Sequence, residues 1–165
     1  MAVRNYPYLN TITNPHTVAN FLKKILFEMK EPLIPFDQYE SYGRLNQDYP
    51  RSVDRVKAIR DLVEKMDEQR QETLKFLVKL LRNVVELEAD NRMGGGNISM
   101  MLGPCIFRSK VVRGSDLLNH ATYYDALHKM ILDFDQIFLP VRKQPVTQKV
   151  APEAKSEVPP NDLIA

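Results

Sequence analysis

The chain has 165 residues and a mass of 19.1 kDa, which allows one domain with a sizeable core and leaves little room for a second. Its 23 Lys and Arg stand against 21 Asp and Glu, and a net charge of +2 gives no electrostatic reason to propose nucleic acid or an anionic membrane as partner. Cys105 is the one cysteine, which excludes an internal disulfide framework and any multi-cysteine metal site and favours a reducing, cytoplasmic setting.

The N-terminal run MAVRNYPYLN lacks the basic-then-apolar pattern of a signal peptide. No 18 apolar residues run together, so no segment is expected to span a bilayer, and neither end carries a lipidation pattern. Residues 1–13 read as irregular, with Tyr6 and Tyr8 flanking Pro7. Asn14-Pro15 is a cap residue followed by proline at the first helical position. Val18, Phe21, Leu22, Ile25, Leu26 and Met29 then recur at three- and four-residue spacing, which predicts an amphipathic helix ending at Pro32. EPLIPF (31–36) reads as a turn into a short helix near Asp37–Tyr42, with Gly43 as its stop.

Arg44–Tyr49 is polar and loop-like. Ser52 is placed to cap a helix striped by Val56, Ile59, Leu62, Val63 and Met66. Asp67 starts a longer one with Leu74, Leu77, Leu81, Val84 and Val85 on its inner side. The pattern breaks over Asn91–Gly96, and a short helix through Ile98, Met101 and Leu102 is expected to stop at Gly103-Pro104. After a basic loop, Arg108–Arg113, residues 116–138 form a last amphipathic helix; from Val141 onward prolines and charges alternate without apolar period, which predicts a mobile tail over 141–165. The expectation is an all-α bundle of six or seven helices spanning residues 14–140.

Few residues suggest chemistry of their own. His16, His120 and His128 have no metal-ligand spacing, and no nucleophile elbow is present. Cys105, within PCIF, reads as a buried inert thiol. Glu86, Glu88 and Asp90 look like a solvated helix end, and the glycines at 94–96 lack the lysine of a phosphate loop and read as a permissive helix start. No catalytic residue, cofactor or metal is expected.

One position stands out. At about 100° per residue the first helix centres its apolar stripe near Leu22, Ile25 and Met29, so Phe27 points to nearly the opposite side, one turn after Lys23. An aromatic beside a lysine on a polar face marks a surface for something else to cover: Tyr6 or Tyr8 folding back, or a partner.

Three segments, HTVANFLKKILFEMKEPLIP (16–35), ETLKFLVKLLRNV (72–84) and NRMGGGNISMMLGPCIF (91–107), resemble successive blocks of the Rho GTPase-activating (RhoGAP) domain. That family's pattern is a histidine-led helix with L-K-x-x-x-R-E-L-P-E-P-L, then T-L-x-x-L, then N-K-M-x-x-x-N-L-x-x-x-x-x-P. Order and spacing agree over residues 13–140.

The resemblance implies an all-helical, RhoGAP-like domain that binds a Rho- or Rac-type small GTPase. The family lysine falls on Lys23 and the second asparagine of the third block on Asn97; Asn91 and Pro104 match as residues that position the loop and helix. Phe27 stands where the family has arginine, and Lys30 where it has proline. The GTPase-binding set implied is Lys23, Phe27, Asn91, Asn97 and Met101. The family's catalytic arginine lies in a G-I-F-R-type loop upstream of the histidine helix, whereas fifteen residues precede His16 here and Arg4 is their one arginine. The expectation is therefore a divergent RhoGAP-like scaffold, N-terminally truncated, that binds the GTP-loaded GTPase and stimulates hydrolysis weakly at most. The alternative is a catalytically inactive GTPase- or protein-binding scaffold module. Loss of upstream helices would leave apolar surface near residues 18–29 open to self-association or to coverage by the chain's own ends.

Overall fold

Local chemistry accounts for the first helix in the computed structural model, which describes residues 11, 13–111 and 114–139 (backbone alone for 114–119). Asn14 is extended and its side-chain oxygen accepts the His16 N–H at 2.9 Å, with Pro15 opening α1 (Pro15–Glu28). The expected irregular start and tail lie almost wholly outside the described residues.

The apolar stripe of α1 splits lengthwise. Leu26 is buried and Leu22 and Met29 pack against the core, while Val18, Phe21 and Ile25 stay about half exposed. Among the described residues the main helix packed against α1 is α7 (Gly95–Ile106), and the Leu26 edge is the strip this contact buries.

The turn after α1 is a packed junction. Pro32, Leu33 and Ile34 are fully buried, and the Ile34 N–H donates to the Ile106 carbonyl at 3.3 Å. Arg70 closes it by donating to the Pro32 carbonyl at 2.8 Å and pairing with Glu31 at 2.5 Å and Asp67 at 3.0 Å.

In the middle of the chain Gly43 stops its helix as expected, and three other expectations are corrected. Gly43 closes α2 (Tyr39–Gly43) without a left-handed φ; the place requires glycine because a β-carbon would come 2.5 Å from the Tyr123 hydroxyl. Residues 44–49 are not a loop: Leu45 is 2% exposed, and burying it draws the chain into a further turn, α3 (Leu45–Asp48). Ser52 does not cap α4 (Ser52–Glu64); Arg51 precedes the helix, bonding Asp54, and the Ser52 hydroxyl accepts from Lys129 Nζ at 2.8 Å instead. In α7 the helix runs through Pro104 to Ile106. Burial of Cys105, Ile106 and Phe107 offsets the hydrogen bond that proline removes.

The long middle helix follows its sequence signal, and the last helix is a further correction. Asp67 caps α5 (Glu68–Glu86), accepting from the Arg70 N–H at 3.0 Å. A single turn, α6 (Glu88–Asn91), leads into α7. The last expected helix is two: α8 (Gly114–Leu132) and α9 (Phe134–Phe138), bent at Asp133 so that α9 meets α4 and α5. Phe134 is buried there with Lys79 and Arg82 each 5.7 Å from its ring centre.

Among the described residues nine helices and no strand are present. α8 is the hub, touching α2, α3, α4, α5, α7 and α9, and its Leu127, Met130 and Ile131 are buried in one core with Ile59, Leu74, Val78 and Ile106. Each such side chain contributes about 1.5–3 kcal/mol by burial. Tyr39 stacks on Tyr123 at 4.5 Å between ring centres, and Tyr42 meets the edge of Phe107 at 5.2 Å. Tyr42 is fully buried, and desolvation drives its hydroxyl pKa far above the ordinary value. No described helix is long and apolar enough to cross a membrane.

Candidate partner-binding face

Lys23 and Phe27 project from α1 one turn apart, and α1 lies against α7. Lys23 is half-buried and close enough to Cys105 of α7 to act on it. Burial pushes the Cys105 thiol up, and the positive charges of Lys23 and Arg108 pull it partly back. Cys105 is thus a buried thiol influenced by two cations.

Phe27 is 57% exposed, on the side away from Val18 and Ile25. Its ring is faced by the Arg108 guanidinium at 5.5 Å, and the same guanidinium donates to the Met29 carbonyl at the end of α1. Arg108, 79 residues from Met29 in sequence, thus clasps α1 to the end of α7. Sequence reasoning missed it because no local signal exists for a contact of that range. Tyr6 and Tyr8, the other candidates to cover Phe27, lie outside the described residues.

On α7, Asn97, Met101 and Pro104 are exposed, and steps of four and three residues keep them on one side of the helix. Met100, 62% exposed, widens this face. Ile98, Leu102 and Ile106 on the far side are buried.

Asn91 stands apart. Its amide nitrogen donates to the Val84 carbonyl and its amide oxygen accepts the Met93 N–H, both at 2.7 Å. Both ends of the side chain therefore serve the corner between α5 and α7, where Arg92 takes a left-handed φ of 56°. The three glycines beyond it differ in role. Gly94 precedes α7 against the Glu88 carboxylate, Gly95 is buried with His128 of α8 over it, and Gly96 faces open space. The Glu86, Glu88 and Asp90 side chains are exposed, as a solvated helix end requires.

Beside Phe27 a groove of about 310 Å³ opens between the end of α7 and α8, lined by Phe27, Tyr39, Phe107, Arg108, His120 and Tyr124 among others. His120 Nδ1 lies 3.2 Å from the Tyr124 hydroxyl. A smaller cavity of about 140 Å³ lies between α4, α5 and α9 beside Arg60, Gln71 and Leu139. No group of three or more His, Cys, Asp or Glu among the described residues is placed to hold a metal.

The chain matches the RhoGAP domain model over residues 3–111, more than half its length. It belongs to the RhoGAP domain family. It is 28% identical over 125 residues to "Rho GTPase-activating protein gacY" of Dictyostelium discoideum, covering 76% of this chain and 17% of that protein. It is 27% identical over 150 residues to "Rho GTPase-activating protein 45" of Mus musculus, covering 76% and 13%. The chain thus spans less than a fifth of these curated relatives. Among solved structures, human Rho GTPase activating protein 15 superposes with a TM-score of 0.71 at 21% identity, over 84% of this chain and 63% of that one. The BH domain of GRAF, the GTPase regulator associated with focal adhesion kinase, gives 0.69 at 20% identity, over 80% and 76%. At such identities these likenesses establish the all-α RhoGAP fold.

Proposed function

We propose that this RhoGAP domain binds a Rho- or Rac-type small GTPase in its GTP-bound state through the adjoining faces of α1 and α7, in the cytoplasm. The observation that carries this reading is that Lys23 and Phe27 stand on one of two packed helices and Asn97 and Met101 on the exposed face of the other. Asn91 acts from behind, fixing the corner that sets the direction of α7.

Hydrolysis of bound GTP needs a water oriented by the GTPase and positive charge on the developing phosphoryl oxygens. A mobile arginine reaching the phosphate is worth about 10³–10⁵ in rate, or roughly 4–7 kcal/mol of barrier. Within residues 1–165 Arg4 is the one arginine ahead of His16, and Arg108 is engaged by Met29 and Phe27. Lys23 and Asn97 can order partner groups without supplying a bidentate guanidinium. For residues 1–165 taken by themselves the reading is therefore binding with weak stimulation, by positioning and exclusion of water. The open strip of Val18, Phe21 and Ile25 supports self-association as a second property.

Calorimetry against Rho and Rac proteins loaded with a GTP analogue or GDP tests this directly. The GTP-like state should bind more tightly, and Lys23→Ala or Asn97→Ala should each cost about 1–3 kcal/mol of binding. Absence of binding to every such GTPase would remove the reading. In single-turnover assays, a thousandfold stimulation that survives Arg4→Ala would overturn the weak-activator part. Binding without any acceleration would make the domain a scaffold.

A further inference from the structure

The groove beside Phe27 has a composition that goes beyond the α1–α7 face. Its described lining is four tyrosine and phenylalanine rings besides Phe27 (Tyr39, Phe107, Tyr123 and Tyr124), together with Arg108 and His120, and it includes no carboxylate. Aromatic rings around one arginine in a concave apolar site are the make-up of an interface anchor, which a flat polar rim lacks.

Arg108 is the chemical key. A guanidinium carries five N–H donors. Here one nitrogen donates to the Met29 carbonyl, while Nε is buried and has no hydrogen-bond acceptor. The group is fixed in place by that bond and by the Phe27 ring, and no carboxylate stands among the described residues of the groove.

The groove also continues the face already described. Asn97, Met101 and Pro104 run down one side of α7, Pro104 is part of the groove wall, and Phe27 belongs to both surfaces. We propose that the GTPase-binding surface extends into this groove, which seats an apolar side chain of the partner flanked by a carboxylate, with Arg108 pairing that carboxylate. The inference rests on the GTPase-binding reading above. It makes Arg108 a residue that selects among GTPases, since a partner lacking the acid leaves the guanidinium unpaired.

The full 165-residue chain, labelled with 3-fluorotyrosine, tests this by fluorine NMR, with Tyr124 assigned through Tyr124→Phe. Addition of a Rho-family GTPase loaded with a GTP analogue should shift the Tyr124 signal. Arg108→Gln should weaken binding about tenfold or more and lower its salt dependence, while Arg108→Lys, which keeps the charge and can still reach Met29, stays within about threefold of the parent. A purely structural role for Arg108 would leave the salt dependence unchanged, and that result would overturn the proposal. If Lys23→Ala weakens binding while Tyr124 stays unmoved and Arg108→Gln binds like the parent, the inference fails and the GTPase reading stands. If no GTPase binds the parent chain, both fall. A Tyr124 shift that depends on protein concentration alone would seat a second copy in the groove and overturn the proposal too.

Discussion

Gly103 lies inside α7 with the ring of Tyr124 pressed against it, so the gap between α7 and α8 there is set by the absence of a side chain. A β-carbon at Gly103 would come 2.5 Å from Tyr124 Cδ1 and 2.8 Å from Cε1, below the 3.0 Å that real β-carbon contacts keep. The ring cannot simply swing away, because its hydroxyl lies 3.2 Å from His120 Nδ1 and the backbone of α8 is anchored by buried Tyr123, Ala126 and Leu127. Alanine in a helix gains about 0.4–1 kcal/mol over glycine through the unfolded chain, and overpacking of a filled interior costs about 1–3 kcal/mol. Gly103→Ala should therefore lose about 1 kcal/mol and at most about 2.6, or roughly 2–10 °C in Tm for a chain of this size. Gly96→Ala is the control in the same helix: nothing lies within 4 Å of its β-carbon, so only the gain of about 0.4–1 kcal/mol remains. Urea and thermal unfolding of the two variants give opposite signs if the packing argument holds, and Tyr124→Leu should relieve the Gly103→Ala loss. Two glycine variants that move together, or a stabilised Gly103→Ala, would refute the close-approach account.

Other consequences are open to equally direct measurement. Asn91→Ala removes two 2.7 Å hydrogen bonds at the α5–α7 corner and should cost about 1–3 kcal/mol in urea unfolding, whereas Asn97→Ala, on the open face, should stay within about 0.5 kcal/mol. The folded state holds the Cys105 thiol above its ordinary pKa, so folding favours the neutral form. The resulting stability is complete below the unfolded thiol's value of about 8.5 and is lost as pH rises through that value toward the folded one. Cys105→Ala should flatten the fall in urea midpoint above about pH 8, and Lys23→Ala, by removing a favourable charge, should slow reaction of the native thiol with a disulfide reagent. If the Val18–Phe21–Ile25 strip drives self-association, sedimentation should detect a concentration-dependent dimer that Phe21→Glu abolishes.

Where structure follows from a few neighbouring residues, the sequence was readable. Asn14-Pro15 and Asp67 act through hydrogen bonds to the next turn, and Pro32 interrupts a helix by its own ring, so these boundaries could be placed without a fold. The readings that failed had their cause in distant parts of the chain. Leu45 is helical because the core takes it, Ser52 serves Lys129, and α7 outlasts Pro104 because the three residues after it are buried. The candidate face divides in the same way. Lys23, Asn97 and Met101 could be named from spacing and family resemblance, and α1 and α7 bring their helices together. Arg108 could not, since its meeting with Phe27 and Met29 depends on how those helices dock.

The stacking of Tyr39, Tyr42 and Tyr123 also decides what light can report about this molecule. The chain has no tryptophan, so its ultraviolet emission comes from seven tyrosines, and none of these lies between residues 50 and 122. Three of them share one buried nest with Phe107 where α2 meets α8, and Tyr124 adjoins it. Intrinsic fluorescence during refolding would therefore time the docking of α2 on α8 and stay nearly blind to the docking of α9 on α4 and α5. Circular dichroism at 222 nm sees every helix alike, so a lag between the two signals would order the halves of the bundle in time without any label.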